Sequence, residues 1–276
     1  MDALTRRALG ETPPPAGWGD RLRWLAERYG GRAAGVLAAG YVLYAGSVLG
    51  FTPARFWAGL AHGRVFLRRL FPPDFLSRWS DIQFDMLESL EIAVLASALG
   101  IALSLPLGLL AARNLMPPYL TWPVRGLISV CRSFHPVIVG ILFVKAIGFG
   151  PLAGVLTLTL ASIGFIGKLF TEAVEEISLK QVEAIRATGA SFSNVLIFGV
   201  LPQVSARFVG FSTYQLDSNL RNSTILGIVG AGGIGGTLFA AFQRFDYEIV
   251  CAIILVIVAL VMLGEILSEQ IRKCFQ

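Results

Sequence analysis

Ile92–Ala112 reads Ile-Ala-Val-Leu-Ala-Ser-Ala-Leu-Gly-Ile-Ala-Leu-Ser-Leu-Pro-Leu-Gly-Leu-Leu-Ala-Ala, 21 residues without a charge. At ~1.5 Å rise per residue this makes about 31 Å of helix, the thickness of a bilayer's hydrocarbon core. Ser97, Gly100, Ser104, Gly108 and Pro106 interrupt the large apolar residues. Small residues let neighbouring backbones approach, so this span is expected inside a helix bundle.

Similar stretches lie on both sides. Ala33–Phe51 is uncharged for 19 residues. A third span is expected over Val124–Ile147 and a fourth from Pro151 to about Gly167, joined as a hairpin by Gly148-Phe149-Gly150. Tyr247–Leu267 carries only Glu248 and Glu265 near its ends. A fifth helix is expected over 203–220, followed by a broken, partly re-entrant segment over 221–240. Irregular backbone at membrane depth is tolerated where protein or a water-filled cavity covers it. The expectation is an all-α polytopic protein with about six transmembrane helices.

Composition agrees. Of 276 residues, 55% are hydrophobic and 15% charged, against about 45–50% and about 25% in soluble domains. The mean hydropathy is +0.68. A soluble globule and a disordered chain are both excluded. Net charge is +5, but no compact basic stripe points to nucleic acid. Cys131, Cys251 and Cys274 have no metal-ligand spacing, and His62 and His135 stand alone. No metal site is expected.

Lys and Arg set the orientation. With the N-terminus inside, the cytoplasmic side holds six arginines in residues 1–32, then Arg113, Arg125, Lys168, Lys180, Arg186, Arg272 and Lys273, 13 in all. The outer side holds seven: Arg55, Arg64, Arg68, Arg69, Arg78, Arg221 and Arg244. Both termini are therefore expected in the cytoplasm. Residues 1–32 hold Pro13-Pro14-Pro15 and no signal-like apolar region. Trp18, Leu22, Leu25 and Tyr29 suit a helix on the membrane surface, or this is a loosely ordered tail. The outer loop 52–86 carries Phe56, Leu60, Leu67 and Phe71 near one helical face, an interfacial helix ending at Pro72-Pro73. The core would then span 87–270.

The polar stretch 173–202 is sharply punctuated. Ser178 with Gln181 fits a capping box. Gly189 can supply a left-handed helix stop, and Ser191 can cap a second short helix that Leu201-Pro202 ends. Two short amphipathic helices make a knob that could enter a partner's groove.

The residues of this knob are Glu183-Ala184-Ile185-Arg186-Ala187-Thr188-Gly189-Ala190-Ser191, with Leu201-Pro202 after them. They resemble the coupling loop of permease subunits from binding-protein-dependent ABC importers. That family pattern is Glu-Ala-Ala, three residues, Gly, nine residues, Ile, one residue, Leu-Pro. Glu183, Ala184, Gly189, Leu201 and Pro202 match in register; Ile185 replaces the second Ala and Gly199 the Ile. Further segments resemble the phosphonate-importer branch. They are Arg132-Ser133-Phe134-His135-Pro136, Gly164–Glu176, Asn219-Leu220-Arg221-Asn222-Ser223-Thr224, Leu226–Gly235 and Phe245-Asp246-Tyr247.

This resemblance implies a type I ABC importer permease in a bacterial inner membrane. It would act as a homodimer, with cytoplasmic ABC ATPase subunits and an extracytoplasmic substrate-binding protein as partners. Glu183 would be a polar contact to the ATPase, Gly189 the turn, and Leu201-Pro202 the entry to the fifth span. The partner, not this chain, would use ATP and Mg, since no G-x-x-x-x-G-K-[ST] sequence is present. The chain itself is expected to bind no cofactor and to catalyse no reaction. The cargo would be a phosphonate or related phosphorus oxyanion. Importers of phosphate, phosphite or methionine share the loop, and a stand-alone secondary transporter is a further alternative.

Two patterns tempt a different reading. Gly230-Ala231-Gly232-Gly233-Ile234-Gly235 satisfies G-x-G-x-x-G, yet that fingerprint needs a βαβ unit, and membrane helices flank it here. Gly230, Gly232, Gly233 and Gly235 read instead as helix packing and a gate. Glu172, Glu175 and Glu176 come without a nucleophile or metal ligands, so a solvated face or an ATPase contact is expected. Intramembrane charges are functional candidates. Arg132 and Arg221 can bind an oxyanion bidentately, with His135, Asp217, Asn219, Ser223 and Thr224 along the same expected path. Lys145 and Arg207 read as interfacial anchors.

Overall fold

The computed structural model describes residues 18–275, with the side chains of 18–30 and a few others outside the described part. The expected surface face of Trp18, Leu22, Leu25 and Tyr29 lies outside the described residues. Eleven α-helices and no strand occur among the described residues. They are α1 (Trp18–Val48), α2 (Pro53–Leu70), α3 (Trp79–Ala111), α4 (Pro118–Ser133) and α5 (Pro136–Ile147). Then follow α6 (Pro151–Glu175), α7 (Leu179–Ala187), α8 (Phe192–Val195), α9 (Leu201–Leu226), α10 (Ile234–Gln243) and α11 (Tyr247–Phe275). Four helical stretches are long and apolar enough to cross a membrane, and up to six if each of two bent pairs counts as one span.

Two compact units divide the chain, residues 1–68 and 69–276. In the first, α1 runs unbroken through position 32, where a separate surface helix was expected to end. Nothing in Gly30-Gly31-Arg32 is strong enough to stop a helix that good formers flank. A helix does form in the expected stretch, α2, bent 58° from α1, and it stops at Leu70, ahead of Pro72.

In the second unit α3 and α6 are the central pair, with α4, α9 and α11 around them. Without a hydrophobic force between helices in lipid, contact depends on close approach. A Cβ at Gly100 would lie 2.3 Å from Ser162 Cβ, and one at Gly164 would lie 2.8 Å from the Arg132 backbone nitrogen. The buried side chains include Ile92, Leu158, Ile166 and Phe170.

Several spans differ from expectation. The third is not one helix: α4 and α5 meet at 94° across Phe134-His135. Pro136 forces the residue before it out of the helical region, and His135 sits at ψ 137. α6 runs on to Glu175 rather than stopping near Gly167: Phe170, Ala173 and Val174 are buried on these last turns, and Lys168 and Glu172 add an i,i+4 pair at 2.8 Å. Residues 79–86, expected in the outer loop, already belong to α3. α9 extends to Leu226, six residues past the expected end. The break is confined to a 3-10 turn, Gly227–Val229, and the following glycines.

That break is knit rather than loose. Gly230, Gly232 and Gly233 have φ of 85°, 82° and 84°, which only glycine adopts without strain. A Cβ at Gly235 would sit 2.0 Å from the Thr224 carbonyl oxygen. From α3, Glu88 accepts the Gly233 N–H at 3.1 Å and Ser89 accepts that of Ile234 at 2.8 Å. They cap α10 from 145 residues away in sequence.

Candidate functional site

The expected coupling loop is built at the opposite end of the bundle. Val182, Val195, Gly199 and Val200 are buried and pack on Ala112, Phe170 and Val174, joining the loop to the ends of α3 and α6. α7 ends at Thr188, and Gly189 turns the chain with φ 76°. A Cβ there would meet nothing within 4 Å. Glu183, Ala184, Arg186, Ala187, Thr188, Gly189 and Ser191 are exposed. Beside them Leu179, Phe192 and Phe198 expose 48%, 47% and 66% of their surface. The knob therefore presents a mixed apolar and polar face with an open turn at its tip. Glu183 makes no hydrogen bond or ion pair among the described residues.

Sequence reasoning placed the loop correctly and missed how it is held. Neither Ser178 nor Ser191 makes a side-chain cap, so the capping box does not form. A more distant group takes over. Gln203 of α9 accepts the Ser178 N–H at 2.9 Å and donates to the Gly199 carbonyl at 2.6 Å. One amide thus ties both halves of the knob to the next span. Gln203 directly after Leu201-Pro202 was visible in the sequence, but its reach across 25 residues was not.

Nor does Leu201-Pro202 break the chain. The helical path is continuous from Phe192 to Val229. Leu196–Val200 forms a π turn in which the Leu201 N–H bonds the Leu196 carbonyl, five residues back. Proline lacks an N–H and crowds the carbonyl four residues earlier, and a widened turn makes room. The second half of the knob therefore runs on helically into α9.

Behind the knob the three glutamates are structural. Glu175 pairs with Arg125 at 2.5 Å and accepts the Arg113 N–H at 2.9 Å, fastening the turn between α3 and α4. Arg125 also donates to the Ala111 carbonyl at 2.8 Å. Glu176 pairs with Arg207 at 2.5 Å.

The expected substrate-path residues do not form one cluster. Arg132 ends α4 with its side chain exposed and without an ion pair among the described residues. His135 is spent locally, its Nδ1 accepting the Val137 N–H at 3.3 Å to cap α5. Arg221 is exposed on α9 and pairs with Asp217 at 2.6 Å. The other Asp217 carboxylate oxygen is buried without a partner. Asn219 is fully buried. Its Nδ2 donates to Ser97 and Ser162, both at 2.9 Å, and its Oδ1 accepts from Gln215 at 2.9 Å. Ser223 and Thr224 are buried, their hydroxyls turned onto the Leu220 and Arg221 carbonyls. Asn219, Ser223 and Thr224 thus bond within the protomer, and Arg132 and Arg221 reach its surface.

Comparison with known proteins adds the identity of the framework. Residues 104–274 match the profile of a family described as the binding-protein-dependent transport system inner membrane component. The chain belongs to this family. It is therefore an inner-membrane component of a transport system.

Among relatives, a phosphate-import permease protein of Mycolicibacterium smegmatis is 44% identical over 206 residues. A phosphite transport system permease protein of Stutzerimonas stutzeri is 42% identical over 206 residues. Each alignment covers 74% of this chain, but 39% of the first relative and 74% of the second. A probable D-methionine transport system permease protein of Vibrio cholerae is 24% identical over 215 residues. A chain of the inward-facing MetNI methionine ABC transporter has a similar fold, with a TM-score of 0.62 at 23% identity, over 73% of this chain and 100% of that one. The type I importer permease architecture follows.

Proposed function

We propose that this chain is the translocation subunit of an ABC importer for a phosphorus oxyanion: phosphonate, phosphite or phosphate. Two copies would pair in the inner membrane, with N- and C-termini in the cytoplasm. Two cytoplasmic ATPase subunits would use ATP and Mg, and an external binding protein would deliver the cargo.

One observation carries the reading: an exposed knob with an open turn at Gly189 continues as an unbroken helical path into a long apolar helix. A groove on the ATPase can grip Glu183 and the apolar Leu179 and Phe192. When ATP closes the ATPase pair, the knob moves with it. The helical path Phe192–Val229, 38 residues and about 57 Å long, carries that motion to the glycine break at the far end. Rigid-body rocking of this kind gives alternating access. The names of the relatives at 42–44% identity support a phosphorus oxyanion as cargo. Exposed guanidinium groups at Arg132 and Arg221 suit an anion along the route.

The test is ATPase stimulation. The assembled transporter is exposed to its binding protein loaded in turn with phosphite, methylphosphonate, phosphate or methionine. Stimulation by a phosphorus oxyanion supports the proposal, and stimulation by methionine alone refutes it.

A further inference from the structure

Between α4 and α6, at the end that carries the knob, lies a cavity of about 320 Å³ lined by Arg113, Trp122, Arg125, Ser129, Lys168 and Glu172 among others. Its size falls at the low end of pockets that hold small ligands, ~300–1,000 Å³. Two of its three cations are already matched: Arg125 by Glu175 and Lys168 by Glu172. The Arg113 side chain has no hydrogen bond or ion pair among the described residues, and neither has the Ser129 hydroxyl. A guanidinium that makes no hydrogen bond or ion pair of its own, though it lies within electrostatic range of Glu175, an exposed hydroxyl and the remaining N–H groups of Lys168 therefore line one cleft.

The surroundings set the depth. Lys168 precedes Glu175 by seven residues, about 10 Å along the helix axis, which puts the cleft one step in from the end of the bundle. Tyr119 and Trp122 expose 76% and 72% of their surface beside it, the placement of an aromatic belt at a membrane–water interface. Further along α4, Leu127 and Val130 expose 50% and 57%. Basic pockets between helices at this level suit phosphate headgroups.

We propose that this cleft binds a phosphate-type oxyanion, with Arg113, Lys168 and Ser129 as its ligands. The group could arrive as the headgroup of an anionic glycerophospholipid, its acyl chains along Leu127 and Val130, or as free phosphate from the water. Arg125 stays with Glu175 and supplies the wall. The site is independent of the cargo, and binding is read without ATP, so its failure leaves the transport reading untouched.

The full chain, purified in a neutral detergent, is offered phosphatidylglycerol, phosphatidylcholine or inorganic phosphate. Retention is followed by native mass spectrometry. The expected result is retention of phosphatidylglycerol over phosphatidylcholine, about tenfold weaker in Arg113→Gln/Lys168→Gln. Lys145→Gln/Arg244→Gln, with the same charge change elsewhere, should retain it normally. Phosphate that binds in the same Arg113-dependent way, alone or in competition, identifies the free oxyanion as a source. If the double variant melts early, Arg113→Gln alone replaces it, since that guanidinium makes no hydrogen bond or ion pair among the described residues. Retention of neither ligand, or equal loss in both double variants, overturns the proposal.

Discussion

Ile185 and Gly199 touch: the Ile185 Cδ1 lies 3.2 Å from where a Cβ on Gly199 would be. These are the two positions at which the knob departs from the Glu-Ala-Ala…Ile-x-Leu-Pro pattern. The bulk that the pattern places on the second helix is here on the first, and the space has moved with it. Two departures that look independent along the sequence are one exchange of volume across the knob.

This exchange makes a testable pair. Gly199→Ile alone overpacks the contact and should cost about 1–3 kcal/mol. Ile185→Ala alone leaves a void and should cost about 1–2 kcal/mol, less than a full core truncation because Ile185 is half-buried. The double variant should recover about 1 kcal/mol or more relative to the sum. Thermal unfolding of the detergent-solubilised proteins measures the cycle, and strict additivity would show that the two residues do not share the space.

Gln203→Leu should loosen the knob while leaving the bundle intact. It removes the bonds to the Ser178 N–H and the Gly199 carbonyl, each worth about 0.5–1.5 kcal/mol. Faster hydrogen exchange at amides 178–182 with unchanged exchange in α6 is the expected signature. Weaker stimulation of the ATPase by loaded binding protein should accompany it.

Gly189→Asp should fold and fail to couple. Open space surrounds the position, so the cost is the left-handed backbone alone, about 1–2 kcal/mol. The added carboxylate stands at the tip that is proposed to enter the ATPase. Membrane insertion should match the parent while ATP hydrolysis no longer drives uptake. Uptake at the parent rate counts against docking through this turn.

The segment 219–224 should split into two behaviours. Asn219→Leu strips partners from Ser97, Ser162 and Gln215, and buried membrane hydrogen bonds average about 0.6 kcal/mol with a maximum near ~1.7. A loss of about 1–3 kcal/mol in stability is expected. Arg132→Ala and Arg221→Ala should leave assembly normal and lower uptake, most of all together. Full transport in the double variant would remove these arginines from the anion's route.

The sequence made the helical class and the position of the knob legible, because uncharged runs and helix punctuation are local signals. What stayed hidden depends on residues far apart. Gln203 reaches back 25 residues to Ser178, Glu88 and Ser89 cap a helix 145 residues away, and Asn219 finds Ser97 across 122. Hydropathy also hides direction. Val124–Ile147 has the composition of one span, and only the backbone restriction at His135-Pro136 turns it into two helices at 94°. A polar group in a membrane helix such as Asn219 signals either cargo or a partner, and spacing alone does not distinguish them.

The central claim is that knob movement drives a phosphorus oxyanion through this subunit, and uptake into sealed proteoliposomes tests it most directly. The assembled transporter is reconstituted with ATP and Mg on the ATPase side and loaded binding protein on the other. The account predicts ATP-dependent accumulation of labelled phosphite, methylphosphonate or phosphate, abolished by Gly189→Asp. Accumulation of methionine in their place, or oxyanion uptake that proceeds without the ATPase, would contradict it.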